Sequence, residues 1–197
     1  MTRRALVALL LGAAAWPAQA QMDTARAAAF IQAAGNELVG VINNGALSAQ
    51  ARREQVAAIL RRSVDLEGVG RFVLGRFWRV ASPAEQQEYL RLYEESLVRN
   101  LAGRFGEFQG VRFELGRTQS RTEEDALVST TVQRPGQAAF NLDWRIADVG
   151  GQPRIVDLIA EGTSLRLTQR SEFASVITRG GGQVSALIAA LRQQLGQ

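Results

Sequence analysis

From about residue 23 to residue 105, apolar side chains recur at the three- and four-residue spacing of amphipathic helices. Asp23, Ser48 and Asp65 each precede such a stretch and are suited to cap a helix at its N-terminus. The segment SPAE at 82–85 has the composition of a capping box, with proline in the first helical position. The pattern predicts four helices, of which the third runs to Phe77 and the fourth is long and ends near Phe105.

After Gly110 the period of the apolar residues changes to two, which is typical of half-buried strands. Alternating segments begin at Val111, Val128 and Phe140, and a fourth strand spans 155–160. Turn-forming residues at 134–137 and 150–153 separate the last three. Two more helices follow, separated by the glycines at 180–182. The predicted fold is α+β, with a curved antiparallel sheet of about four strands packed against several helices.

The N-terminus has the three parts of a secretory signal peptide. Arg3 and Arg4 precede an apolar run over 5–16, and Ala18-Gln19-Ala20 has the small-x-small form of a cleavage site. The apolar run is too short to span a hydrocarbon core of about 30 Å. We therefore expect residues 1–20 to be a signal peptide cleaved after Ala20, and residues 21–197 to form one domain free in the periplasm.

The composition removes several classes of function. The chain has no His and no Cys, which excludes Ser-His-Asp and Cys-His catalysis and zinc sites built from these ligands. Its 23 basic residues are all arginine and are scattered, without the basic stripe of a nucleic-acid binder. The one acidic cluster, at 123–125, lies between two predicted strands and is expected to be a solvated turn. These features predict a protein that is not an enzyme and uses no metal or cofactor.

Several segments together resemble the MlaC family, the periplasmic phospholipid shuttles also called toluene-tolerance auxiliary proteins. They are FVLGRFWR at 72–79, SPAE at 82–85, LRLY at 90–93, IVDLIAEG at 155–162, QRSEF at 169–173 and LIAAL at 187–191. They occur in the family's order and cover most of the chain after residue 20. The strands between 111 and 146 match only in their pattern.

The resemblance implies that an apolar pocket between sheet and helices takes the acyl chains of a phospholipid and leaves the head group outside. It also implies exchange of lipid with an inner-membrane ABC transporter carrying an MCE-domain ring, and with an outer-membrane lipoprotein–porin complex. This pathway maintains the lipid asymmetry of the outer membrane. The chain is expected to be a monomer without nucleic-acid partners. One branch of the family is associated with hopanoids, so another lipid is an alternative cargo.

The residues expected to line this pocket are strand positions that face the helices and apolar helix positions that face the sheet. On the strands they are Phe113, Leu115, Val128, Val132, Phe140, Leu142, Trp144 and Ile159. On the helices they are Phe72, Phe77, Tyr89, Leu92, Phe105, Phe173, Val176 and Ile177. Arg76, Arg79 and Arg170 could meet a phosphate at the mouth or pair with surface carboxylates.

Periodicity alone does not distinguish a hollow apolar core from a filled one. A periplasmic interaction protein or chaperone-like adaptor with a filled core therefore stays open beside the lipid carrier. A hydrolase with carboxylate chemistry is a third alternative, although no carboxylate pair is singled out by the sequence. Mass spectrometry of gently purified protein would separate the first two, because a carrier should bring lipid with it.

Overall fold

The computed structural model describes residues 23–105, 110–122 and 124–197, without the side chains of 104 and 105. In these residues there are six α-helices, one 3-10 helix and one five-stranded sheet. The helices are α1 (Thr24–Asn43), α2 (Ala49–Ser63), α3 (Leu66–Leu74), α4 (Pro83–Phe105), α5 (Leu165–Arg179) and α6 (Val184–Leu195), with the 3-10 helix at Gly75–Arg79. The strands are β1 (Arg112–Ser120), β2 (Asp125–Gln133), β3 (Phe140–Val149), β4 (Gln152–Ala160) and β5 (Thr163–Ser164). They pair antiparallel in sequence order, so the predicted α+β class is confirmed, with one short strand more than expected.

The predicted helix starts are confirmed by their hydrogen bonds. Asp23, Ser48 and Asp65 each accept a hydrogen bond from a backbone N–H two or three residues later. At the start of α4 the Ser82 hydroxyl accepts from the Glu85 amide at 3.3 Å, and the Glu85 carboxylate accepts from the Ser82 amide at 2.9 Å. This reciprocal pair satisfies two amides that would otherwise lack partners.

The third helix ends earlier than the sequence pattern predicts. Gly75 has φ +59°, a conformation that side-chain-bearing residues rarely adopt, and it terminates α3 before the 3-10 helix. A Cβ atom on Gly75 would also lie 2.9 Å from the Nε atom of Arg170 on α5. The backbone angle therefore requires glycine here, and the apolar periodicity through Phe77 conceals the break.

The register of the sheet confirms the predicted apolar face. Val132 is opposite Phe140 and Thr130 is opposite Leu142. We call this the inner face, which consists of the side chains on the same side of β1–β4 as these residues. Helix α1 packs on it along β1 and β2, and α2 packs on α1.

A bulge in β4 changes which of its residues belong to the inner face. β4 holds one extra residue between the positions opposite Arg145 and Ile146. A one-residue insertion reverses the alternation of side chains along a strand. Leu158 consequently shares the inner face with Trp144, whereas Ile159 lies on the outer face, contrary to the alternation expected from the sequence.

Three apolar clusters make up the core of the described residues. The first lies between α3, α4, α5 and α6 and does not involve the sheet. The second joins α1, α2 and α4 to the end of β2 and the start of β3. The third packs Ala27 and Ile31, near the start of α1, against the far ends of the same strands. The sheet is thus covered by α1 at both ends, and the space between those contacts is available for a cavity.

The solvated turn predicted at 123–125 is wrong for Asp125. This residue begins β2 and is 2% exposed, and its carboxylate forms an ion pair with the Arg145 guanidinium on β3. Glu124 is exposed, as predicted, and residue 123 lies outside the described residues. A buried carboxylate needs such a partner, since an unpaired charge in the interior is strongly unfavourable.

Candidate functional site

A cavity of about 170 Å³ lies between the inner face of the sheet and helices α1, α2, α4 and α5. Ile31, Leu38 and Ile42 form its α1 wall, and Leu60 belongs to its α2 wall. The opposite wall is the inner face of β1–β4. Aliphatic and aromatic groups make up most of this lining, which suits an apolar ligand.

The polar atoms within the sheet wall are hydrogen-bonded inside the wall. The Trp144 indole N–H donates to the Thr130 hydroxyl at 2.8 Å, and that hydroxyl donates to the Leu142 carbonyl at 3.1 Å. Because these groups satisfy each other, this wall offers a ligand no free hydrogen-bonding group at its centre. Hydrocarbon can contact it without leaving a buried polar group unpaired.

Gly35 brings α1 close to the sheet at the edge of the cavity. A Cβ atom at this position would lie within 3 Å of the Phe113 ring on β1. The Phe113 ring therefore lies directly against the α1 backbone, and it also lines the cavity. Any larger residue at Gly35 would have to displace the Phe113 ring.

A polar side of the cavity lies where β4 meets the start of α5. Asp157 accepts a hydrogen bond from the Ser164 hydroxyl at 2.6 Å and forms an ion pair with Arg166 at 3.3 Å. Gln169, one turn along α5 from Arg166, accepts from the Tyr93 hydroxyl at 3.0 Å. Burial, reinforced by the negative charge of Asp157, raises the pKa of Tyr93 well above its usual range, so this hydroxyl stays neutral.

Leu165 marks where the cavity meets solvent, because it both lines the cavity and is 41% exposed. It is the first residue of α5 and adjoins this polar side. The neighbouring Leu167 is 53% exposed. The mouth is therefore bordered by apolar and charged groups together.

Five of the sixteen residues predicted to line a pocket lie on the cavity wall, and all five come from the strands. They are Phe113, Val132, Phe140, Leu142 and Trp144. The structure brings them together across β1, β2 and β3 because they share the inner face.

The other predicted lining residues lie elsewhere. Leu115 and Val128 pack into the third apolar cluster and Ile159 is on the outer face. The side chain of Phe105 lies outside the described residues. Seven helix residues belong to or pack against the helical cluster of α3–α6: Phe72, Phe77, Tyr89, Leu92, Phe173, Val176 and Ile177.

That helical cluster is a packed core with its own specific contacts. The Tyr89 hydroxyl is buried and donates to the Gly70 carbonyl at 2.9 Å. The rings of Tyr89 and Tyr93 each meet Phe173 edge to face with centroids 6.3 Å apart. Of these three rings only Tyr93 also lines the cavity. Among the helices α1 contributes most to the cavity wall, and α2, α4 and α5 contribute further residues.

The residues predicted to line the pocket do not include the α1 wall. Leu38 and Ile42 were visible as part of an apolar helical stripe, and Val39 lies beside them. The stripe shows which side of α1 faces inward, but it carries no information on whether the opposing sheet touches it. Of the arginines considered for a phosphate, Arg76 stacks on Phe77 at 4.9 Å, and Arg170 stacks on Phe72 at 4.9 Å. Arg79 is exposed.

Two further observations concern the described part of the chain. It contains no group of three or more His, Cys, Asp or Glu side chains arranged to hold a metal ion. None of its helices combines the length and the apolar character needed to cross a bilayer.

A solved structure has the same fold. It is a phospholipid-binding protein from Ralstonia solanacearum, determined in complex with a phospholipid, and it superposes with a TM-score of 0.75. The two sequences are 23% identical, and the alignment covers 87% of this chain and 99% of the other. At this identity the likeness establishes the fold alone, six helices with an antiparallel sheet.

A family model described as MlaC protein matches residues 32–193. The match runs from α1 into α6 and so includes every wall of the cavity. It also contains the segments, from 72–79 to 187–191, on which the resemblance rested. On this match over most of its length, the chain belongs to the MlaC family.

Proposed function

We propose that this protein carries a phospholipid through the periplasm, with the acyl chains held in the cavity between α1 and the sheet. The observation that supports this most directly is the apolar cavity itself. A filled-core adaptor would need no cavity, and a hydrolase would need reactive groups within it. Membership of the MlaC family and the phospholipid bound to the protein from Ralstonia solanacearum support the same cargo.

A carrier of this kind removes a large energetic barrier. Two acyl chains expose roughly 30 methylene-sized groups to water, each unfavourable by about 0.8 kcal/mol, which amounts to about 20 kcal/mol in all. Spontaneous transfer of the lipid between membranes is therefore negligible. Burial in a protein cavity lowers the barrier without breaking a bond, so neither nucleophile nor general base is required.

The cavity volume indicates that cargo and walls adjust to each other. At about 170 Å³ it is only slightly larger than an engineered cavity of about 150 Å³ that admits benzene. Two acyl chains are many times larger than benzene. We therefore expect α1 and the sheet to move further apart when lipid is loaded. In the present structure they touch where the Phe113 ring lies against Gly35.

The partners and location belong to this proposal. The carrier would receive or deliver lipid at an inner-membrane ABC transporter with an MCE-domain ring and at an outer-membrane lipoprotein–porin complex, and thereby maintain outer-membrane lipid asymmetry. It would act as a monomer, with no cofactor other than its cargo and no catalytic activity.

Native mass spectrometry of gently purified protein tests the cargo. We expect a monomer with a mass excess that is lost under denaturing conditions, and extraction should yield a two-chain phospholipid. Hopanoid in the extract would identify a different cargo, but the proposed carrier function would stand. Preparations that are consistently empty and take up no added lipid would contradict the proposal and favour the adaptor.

Secretion is tested separately by the intact mass of the exported protein. The Ala18-Gln19-Ala20 pattern predicts cleavage after Ala20, giving a mature chain that begins at Gln21. An exported protein that keeps residues 1–20 would contradict the periplasmic location as a free carrier.

A further inference from the structure

Two arginines of α5 lie where the cavity meets solvent. Arg166 lines the cavity and its side chain is 15% exposed, whereas Arg170 is exposed one turn further along α5. Leu165, the residue that marks the mouth, precedes Arg166 directly. Arg166 is therefore placed at the border between apolar cavity and water, where the polar part of a two-chain lipid would lie, and Arg170 lies on the solvent side of that border.

The guanidinium of Arg166 is incompletely satisfied by its protein partners. Its ion pair with Asp157 is long, at 3.3 Å, and its buried Nε has no hydrogen bond of good geometry. The Asp157 carboxylate is already engaged by the Ser164 hydroxyl and by the Arg166 amide. One further bond, from Nη1 to the Val156 carbonyl at 3.3 Å, uses one of the five N–H donors.

The surroundings of Arg166 do not fully compensate for its burial. Desolvation lowers its pKa, and the positive charge of Arg145 adds to this effect, while Asp157 opposes it. The side chain nevertheless stays protonated, because arginine does not lose its proton in proteins. An additional anion would offset the desolvation.

Arg170 lies beside Arg166 on the same face of α5, because residues four apart on a helix are neighbours. Both guanidinium carbons are over the ring of Phe72, at 4.2 Å for Arg166 and 4.9 Å for Arg170. By the sum of these distances the two carbons are at most about 9 Å apart. In the described part of the chain no carboxylate forms an ion pair with Arg170.

The fold makes room for this arrangement. Gly75 lacks the Cβ that would press on the Arg170 guanidinium, so the side chain can lie along the backbone at the end of α3. Two like charges one turn apart on a helix repel each other. Contact with the Phe72 ring offsets part of this repulsion, and an anion between the two guanidinium groups would offset more of it.

We propose that Arg166 and Arg170 bind the phosphate of the lipid cargo at the mouth of the cavity, so that this protein selects lipids with an anionic phosphodiester. The inference rests on the proposed lipid-carrying function. A guanidinium presents paired N–H donors that match phosphate oxygens, and such charge-assisted bonds are about 2.7–2.9 Å long. The N-terminus of α5, capped by Ser164, adds its positive dipole end at the same place.

The selectivity follows from what a phosphate-free lipid would lack. A neutral lipid with the same acyl chains could occupy the cavity but would leave Arg170 without a counter-charge and Arg166 with only its ion pair to Asp157. A phosphodiester would bond to Arg166 and bridge to Arg170. The pair thus favours phospholipid over hopanoid as the cargo of this chain.

The test compares two soluble lipids with identical chains: dioctanoylphosphatidylglycerol, which has a phosphodiester, and dioctanoylglycerol, which has none. Full-length mature protein is titrated with each, for the wild type and for the variants Arg166→Gln, Arg170→Gln and Arg179→Gln. Arg179 is the matched control, because it is an exposed arginine at the far end of α5 that bonds only to Ser175. Thermal melting of every variant verifies folding.

We expect Arg166→Gln to weaken binding of the phosphatidylglycerol at least about tenfold, as for loss of a hydrogen bond to a charged group. Arg170→Gln should weaken it several-fold, and Arg179→Gln should leave it unchanged. Binding of dioctanoylglycerol should be the same for all four proteins. Equal losses for both lipids, or no loss in either α5 variant, would overturn the proposal.

Inorganic phosphate separates recognition of the anion from binding of the chains. If the arginine pair takes phosphate by itself, millimolar phosphate should raise the melting temperature of the wild type but not of Arg166→Gln. If the wild type binds neither lipid, the carrier function fails, and the phosphate arm still decides whether an anion site exists. An identical response of wild type and Arg166→Gln to phosphate, together with unchanged lipid binding, would leave no role for the pair.

Discussion

Replacement of Val132 by tryptophan is expected to abolish lipid carriage while the protein stays folded. Val132 lies on the inner face of β2, lines the cavity and contacts the second apolar cluster. The added ring would project into a space of about 170 Å³, large enough for a group of benzene size. Lipid that copurifies with the variant should fall at least tenfold, with a melting temperature within a few degrees of the wild type.

Val128→Trp is the matched control for this variant. Val128 is on the same strand and the same face, but it is fully buried in the third cluster and does not line the cavity. Enlarging a filled core costs about 1–3 kcal/mol or more. Val128→Trp should therefore lower the melting temperature strongly, and its folded fraction should still carry lipid.

Leu142→Trp extends the same comparison to β3, because Leu142 lines the cavity opposite Thr130. Melting temperature and lipid content are to be measured on the same samples. A large loss of stability in both cavity variants, with lipid content of the folded fraction unchanged, would mean that the cargo lies elsewhere.

Removal of the Arg145 charge is expected to give the largest loss of stability from a single substitution. Arg145 is the ion-pair partner of Asp125, whose side chain is 3% exposed. Arg145→Met keeps much of the side-chain length but leaves a buried carboxylate without its counter-charge. Loss of one partner of a buried pair typically costs about 3–5 kcal/mol, which urea denaturation should detect.

Arg192→Met provides the control for the Arg145 variant. Arg192 pairs with Glu88 at the surface, where its side chain is 50% exposed. An exposed pair contributes about 0–1 kcal/mol, so this variant should unfold close to the wild-type midpoint. The double variant Arg145→Met, Asp125→Asn should recover part of the lost stability, because it removes the buried charge. Equal effects of the two single substitutions would refute the assignment.

The local features of this fold could be predicted from the sequence, because the signals that specify them are local. The caps at Asp23 and Ser82 and the alternation along β2 and β3 involve residues within a few positions of each other. The inner face followed from this alternation, and with it the five strand residues of the cavity wall. The helix break at Gly75 was missed because its apolar neighbours continue the helical period.

The helix residues that form the cavity wall could not be predicted, because they depend on which helices and strands meet in space. An apolar stripe indicates an inward face, but Leu38 on α1 and Leu92 on α4 look alike in sequence. In the structure Leu38 faces the sheet across a cavity, and Leu92 is fully buried among helices. The bulge in β4, which moved Ile159 to the outer face, likewise depends on pairing with β3.

The burial of Asp125 illustrates a further limit. The two residues before it, Glu123 and Glu124, are also acidic, so the sequence suggests an exposed turn. Burial of Asp125 is tolerated because its carboxylate pairs with Arg145, twenty positions later. Such a pairing is decided by strand register, which the sequence specifies through the apolar face rather than through the charges.

The position of Trp144 makes its intrinsic fluorescence a probe of the cavity. Its indole lies in the cavity wall with its N–H bonded to Thr130. The wavelength and intensity of its fluorescence should therefore change when acyl chains enter or leave the cavity. In the mature chain expected from cleavage after Ala20, the sequence has one other tryptophan, Trp78, which lies in the 3-10 helix under Arg71 and does not line the cavity. A Trp78→Phe background would leave a single emitter, and the loading and unloading of unlabelled lipid could then be followed in real time by stopped flow.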